Sequence, residues 1–195
     1  MKKKIGLVKI GQVDQSILDK LKIKLELSFK EFKISVDSFK EIIPIENSDY
    51  NINRGRYNAL KLLKKINLNI QNKPYFRSLG IIDHDIYSNS FNFLLGRANK
   101  PKQDNPKYPV GALISITRLR EIFYGRPDDE ILFEQRTLKE AIHELGHTFG
   151  LPHCRKYCIM RFSNFITDTD NKPSAFCNSC LESLRKFFKK LKGAF

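Results

Sequence analysis

Residues 143–160 read HELGHTFGLPHCRKYCIM. Three of the chain's four histidines and two of its four cysteines fall in this one segment. His143 and His147 stand four residues apart. On a helix their side chains leave the same face, with Cβ atoms about 6 Å apart, so both imidazoles can reach one metal ion. Glu144 adjoins His143 and can lean over that ion without binding it. Gly150 lets the chain leave the helix in a sharp turn, and His153 can then approach from another side. Three neutral imidazoles leave one position open to water, the arrangement of a catalytic rather than a structural zinc. Such an ion acidifies its water and polarises a carbonyl. Glu144 would take the water's proton and return it to a leaving amine. The chemistry assembled in this way is peptide-bond hydrolysis. The pattern H-E-x-x-H-x-x-G-x-x-H arises by chance in a chain of this length about once in a hundred thousand. Ordinary half-buried histidines are therefore a poor account of it.

Cys154 follows His153 directly, and Cys158, Cys177 and Cys180 complete a C-x3-C, C-x2-C pattern. Two short cysteine pairs separated by a loop resemble a zinc knuckle, in which four thiolates close a tetrahedral structural site. An iron–sulfur cluster or two disulfides are the alternatives. The expected cofactors are thus two zinc ions, one catalytic and one structural.

Elements must carry these groups. Residues 4–10 predict a first strand, and Ile17 to Phe29 an amphipathic helix. FKISV (32–36) alternates as a second strand. A second helix is expected from about Arg54 to Ile66. SLGIIDHDIYS (78–88), FNFLLGRA (91–98) and VGALISIT (110–117) predict three more strands, the first two close enough to form a hairpin. Asn99 to Pro109 carries three prolines and reads as a loop. Phe133 to Phe149 is helical again, with Asp128, Asp129 and Glu130 suiting its N-terminus. Alternating strands and helices point to an α/β fold with a mostly parallel sheet and one antiparallel strand. Asp83, His84 and Asp85 could suggest another metal site, but strand-end polar groups are the commoner case. The segment 181–195 predicts a basic amphipathic helix with Leu181, Leu184, Phe188 and Leu191 facing a core rather than a membrane surface.

The 195 residues fit one domain. Within it, 1–150 would form the sheet-and-helix part and 151–195 a small C-terminal part. No stretch approaches the roughly 18 apolar residues of a membrane span. Lys9, Gln12 and Asp14 interrupt the apolar run of MKKKIGLVKIGQVD before it resembles an export signal. A cytoplasmic monomer is expected. The formal charge of +14 could mark nucleic-acid binding. The cations are scattered except at 2–4 and 184–192, so a solvated basic surface is favoured. A second functional class remains: a non-catalytic zinc-knuckle protein binding nucleic acid or a protein partner through that surface. Glu144 argues against it, since a retired site needs no general base.

The histidine motif, with its glycine and third histidine, resembles the metzincin clan of zinc peptidases. Its fusion to a cysteine at 154, C-x-M at 158–160 and a later C-x2-C is similar to the archaemetzincins. SLGIIDHDIY, NFLLGRA and SITRLRE also resemble that family's core. The resemblance implies a metzincin-like (zincin) fold: a twisted five-stranded mixed sheet, a backing helix, an active-site helix and a small C-terminal part with a four-cysteine zinc site. It implies that His143, His147 and His153 hold the catalytic zinc and that Cys154, Cys158, Cys177 and Cys180 hold the structural one. Met160 would form the methionine turn, a packed floor beneath the metal. The strand at 91–98 would be an antiparallel edge above the cleft, where Phe93, Leu94, Leu95 and Gly96 pair with an extended peptide. The substrate class implied is short or unstructured peptides, with aminopeptidase action as one form. Many members place four residues between the first two cysteines; here there are three.

Overall fold

A computed structural model describes residues 3–193 other than 72, 103, 104 and 106. The ends of the basic segments, at residue 2 and at 194–195, lie outside the described residues. Strand β1 (Lys4–Ile10) leads through α1 (Gln15–Ser28) into β2 (Ser35–Ile43). A small hairpin, β3 (Tyr50–Asn51) and β4 (Arg56–Asn58), precedes α2 (Ala59–Ile70). Then follow β5 (Arg77–Ile82), β6 (Ile86–Ser88), β7 (Phe91–Leu94), β8 (Gly96–Ala98) and β9 (Val110–Ser115). Helices α3 (Glu130–Thr148), α4 (Ile166–Asn171) and α5 (Asn178–Gly193) complete the chain.

The main sheet has five strands in the order β2-β1-β5-β9-β8. Its pairings are parallel except β8 against β9, so the expected mixed, mostly parallel sheet is present. All residues of β5 and β9 are buried, as central strands covered on both faces must be. On one face Leu79, Ile81 and Ile114 join Leu18, Leu21 and Leu25 of α1 and Ala141, Ile142 and Leu145 of α3. On the other, Val8, Ile82 and Leu113 pack on Leu62, Leu63 and Ile66 of α2, the backing helix.

Four expected boundaries are corrected. The second strand starts at Ser35 because residues 30–32 form a 3-10 turn that ends at Lys33 with φ 52°. The second helix starts at Ala59, where Asn58 accepts from the backbone N–H of Leu60 and Lys61; residues 56–58 are strand instead. The span 78–88 is two strands. Asp83 accepts from Thr117 and Arg120, while Asp85 accepts from Arg56 and Arg118. These pairings draw the chain out of the main sheet after Ile82, and they give Asp83 and Asp85 structural roles. The span 91–98 is likewise divided. β7 is the edge of a second sheet, β3-β4-β6-β7, and β8 is the edge of the main one. β6 and β7 do form the expected antiparallel hairpin. In α5, Leu184, Phe188 and Leu191 are buried in the main core and Leu181 packs at its margin, so this stripe faces protein. No described helix is long and apolar enough to cross a membrane.

Candidate active site

Helix α3 delivers the chemistry, and both its ends are fixed. Asp129 accepts from the Leu132 N–H at the N-terminus, satisfying one of the donors a helix start leaves free. At the other end Gly150, at φ 90°, reverses the chain, in a conformation that costs glycine little. The buried Arg77 donates from Nε to the Thr148 carbonyl at 2.9 Å, placing a cation at the negative end of the helix. Burial lowers that guanidinium to about 9.

Along the helix one face enters the core, and Glu140, His143, Glu144 and His147 line a cleft of about 710 Å³. After the turn His153 joins them, and ligand atoms of the three histidines lie within 4.8 Å of one another. His143 Nδ1 lies 2.9 Å from the Ile159 carbonyl, and His147 Nδ1 lies 2.8 Å from the Leu151 carbonyl. A carbonyl only accepts, so each Nδ1 carries the hydrogen and donates it. Burial pushes His143 down to about 3 and His147 to about 4, and it lowers His153 as well. The rings are neutral, and each Nε2 therefore presents a bare lone pair. Yet the two Nε2 atoms sit 3.2 Å apart, facing each other with no proton to share. Two ligands of a tetrahedral zinc at about 2.05 Å would be roughly 3.3 Å apart. A cation between them resolves the repulsion, so the donor set fits zinc.

Glu144 is only 5% exposed. Burial, then the nearby Glu140 charge, pushes its carboxyl well above the usual carboxylate range. Glu140, one turn earlier, is held by Lys172 Nζ at 2.7 Å and by the Thr169 hydroxyl at 3.0 Å.

The cysteines also converge. The four Sγ atoms lie within 4.8 Å of one another, and Cys154 and Cys177 are 3.8 Å apart, near the roughly 3.8 Å expected between thiolates on a tetrahedral zinc. All four are free thiols. The Cys177 thiol is lowered to about 7 by the backbone N–H of Cys180, whereas burial raises Cys180. The loop from 154 to 160 is closed by Cys154 N–H donating to the Met160 carbonyl at 2.9 Å. Met160 is fully buried, and its sulfur occupies the space a Cβ would need at Gly146.

Phe93, Leu94, Leu95 and Gly96 all line the cleft, though they lie across two strands and the buried link between them. Gly96 has a further consequence. A Cβ there would stand 2.5 Å from Glu144 Cγ and 2.6 Å from its Oε1. Glycine at 96 thus makes room for the Glu144 carboxylate, as glycine at 146 does for Met160. Neither role has a local sequence signal, because both contacts come from distant segments. Glu140 and Lys172 were missed for the same reason.

A mixed sheet backed by helices, with one long helix presenting convergent neutral imidazoles and a buried carboxylate to an open cleft, is the architecture of a zinc metallopeptidase. The profile described as peptidase family M54 matches residues 4–186, and the chain belongs to that family, the archaemetzincins. It is 37% identical over 182 residues to the archaemetzincin of Sulfolobus acidocaldarius, covering 93% of this chain and 96% of that one. The crystal structure of the Methanopyrus kandleri archaemetzincin superposes with a TM-score of 0.79 at 30% identity, covering 96% of each chain. That of the Archaeoglobus fulgidus protein, complexed with malonate, gives 0.73 at 30% identity over 92% of this chain and 99% of that one.

The Gly96 contact predicts a result. Gly96→Ala should lower peptide hydrolysis by roughly ten- to a hundredfold, the scale of an ångström's misplacement of a reacting group. Zinc content and melting temperature should change little. Activity equal to wild type would show that the Glu144 position tolerates displacement.

Proposed function

We propose that the chain hydrolyses short or unstructured peptides laid along the β7–β8 edge, with Glu144 as general base. One observation carries this reading: two proton-free Nε2 atoms face each other beside a buried, proton-accepting carboxylate, and all of them open into one cleft. His143, His147 and His153 would hold the catalytic zinc, and the four cysteines a structural one. The catalytic ion, when bound, supplies Lewis acidity toward a water and a substrate carbonyl. The protein's own groups do the rest. The Ile159 and Leu151 carbonyls fix the tautomer and aim of the two helical imidazoles, as outer-shell partners of ligands do. Met160 packs beneath them as a floor. Glu144, with its affinity for a proton raised by burial, accepts one from water and delivers it to the departing amine.

A carboxylate is the strongest protein partner for the α-ammonium that an aminopeptidase recognises. Among the described residues the carboxylates lining the cleft are Glu144, needed for proton transfer, and Glu140, already engaged by Lys172 and Thr169. This favours binding along the peptide's length over capture of its amino end.

The test combines metal and activity. Native mass spectrometry of the full chain should show two zinc ions, and a chelator should abolish cleavage of an unstructured peptide library. Zinc affinity, measured against a competing chelator, should separate the sites by pH. Protons compete with a ligand only as the pH nears that ligand's pKa. Burial holds His143 down to about 3 and His147 to about 4, and it lowers His153 as well, so affinity at the histidines should fall only shallowly from pH 7.5 to about 5.5. At ordinary histidine values it would already be falling near 6.5. The cysteine site, with the Cys177 thiol at about 7 and burial raising Cys158 and Cys180, should weaken steadily over the same range. Equal pH slopes at both sites, or metal-independent cleavage, would count against the reading.

A further inference from the structure

The cleft has an imbalance of charge that hydrolysis itself does not use. Of its two carboxylates, Glu140 is neutralised by Lys172 across a 2.7 Å ion pair. Arg97 of β8 and Lys100 just beyond it both line the cleft and are exposed. Neither has a hydrogen-bond or ion-pair partner among the described residues. Nearby arginines differ: Arg56 and Arg118 are engaged by Asp85, and Arg120 by Asp83. Arg97 and Lys100 are thus not merely part of a generally basic surface. They are charges without a partner among the described residues, on the edge where an extended peptide would lie. Their fields reach the site, since Arg97 opposes the upward shift of Glu144 and Lys100 lowers both His147 and His153.

The lining also includes Ser163, Asn164 and Phe165, a hydroxyl, an amide and a ring, and among the described residues it adds no anion to cancel those cations. A substrate carboxylate entering here gains two unpaired partners, while a lysine or arginine meets like charge. Complementarity of this kind sets selectivity. Residues 97 and 100 span roughly 10 Å along an extended chain, about three residues of a bound peptide.

We propose that Arg97 and Lys100 make this peptidase selective for acidic peptides, by holding a substrate carboxylate within about three residues of the bond that is cut. This rests on the peptidase reading of the histidine site. The test uses the zinc-loaded full chain and matched peptides carrying Glu, Gln or Lys at each position, every one as the free acid and as the C-terminal amide. Glu peptides should exceed their Gln counterparts in kcat/KM by roughly tenfold at low salt, the scale of one or two exposed charge pairs. The ratio should shrink as salt rises. Arg97→Gln/Lys100→Gln should bring the ratio close to one, and Arg97→Glu/Lys100→Glu should shift preference to Lys peptides. Lys189→Gln, remote on α5, should leave the ratio as it was. A preference seen only between free acid and amide would place the captured carboxylate at the peptide's C-terminus. Equal cutting of Glu, Gln and Lys peptides by wild type, with no difference between free acid and amide, overturns the proposal, as does an unchanged preference in the double variants. If wild type cuts nothing, the peptidase reading fails instead. Anisotropy with labelled Glu and Gln peptides on Glu144→Gln then decides this one, and equal affinities overturn it.

Discussion

Glu144→Gln should lower kcat/KM for peptide hydrolysis by about two to four orders of magnitude, the usual contribution of a general base, with zinc content unchanged. Glutamine keeps the size and shape of the side chain, so the packing of α3 is preserved, but its amide cannot take a proton at any working pH. The pH profile distinguishes this from a loss of binding. If Glu144 is the base, the active form in wild type is the carboxylate, and the rate should rise as pH climbs through the Glu144 pKa. Burial and the Glu140 charge act to raise that pKa and a bound zinc acts to lower it, so the position of the acidic limb reports the balance between them. In the glutamine variant that limb should vanish, leaving a residual rate flat across it. Glu144→Asp retains the proton acceptor one methylene further away and should fall between the two. A glutamine variant within threefold of wild type, still showing the acidic limb, would remove Glu144 from the chemistry.

The sequence showed local relations well and distant ones poorly. Placing His143 and His147 on one face needs only helical geometry, and bringing His153 round needs only the turn at Gly150. All three distances follow from a run of eleven residues. Strands β1 and β9 were equally legible, because continuous apolar runs bounded by polar residues have few alternatives. The segment 78–98 was harder. Its alternation predicts two strands, and four form, because Asp83 and Asp85 bond to arginines 29 to 37 residues away. No window centred on these residues contains their partners. Gly96 read as an edge-strand residue, and Gly146 drew no reading of its own. Each is shaped by a side chain from another element, Glu144 and Met160. The small second sheet escaped notice because β3, β4 and β6 are too short for periodicity to register.

Lys172→Met should destabilise the protein by about 3–5 kcal/mol, the cost of stranding one member of a buried ion pair. For a chain of this size that is roughly 6–20 °C in melting temperature. Lys172 is 2% exposed and Glu140 3%, and the pair joins the end of α4 to the middle of α3 across 32 residues. Burial alone would raise the Glu140 pKa, but Lys172, with His143 and the Thr169 hydroxyl, reverses that and holds it below the ordinary value. The sign of the pH dependence follows. In wild type a lowered pKa gives stability that is present above the unfolded value of about 4.3 and lost as pH falls. Without Lys172, burial leaves Glu140 with a raised pKa, which favours the folded state in acid and penalises it as pH rises. The two melting curves should therefore lie far apart at pH 7 and converge below about pH 4. Glu140→Gln/Lys172→Met removes both charges while keeping an acceptor for Thr169, and it should recover most of the loss, since a neutral replacement of a buried pair is often tolerated. A single variant as stable as wild type at pH 7, or a double variant no better than the single, would show that the ion pair does not hold α4 against the catalytic helix. Recovery in the double variant would instead identify the unpaired Glu140 charge, one turn from His143, as the source of the damage.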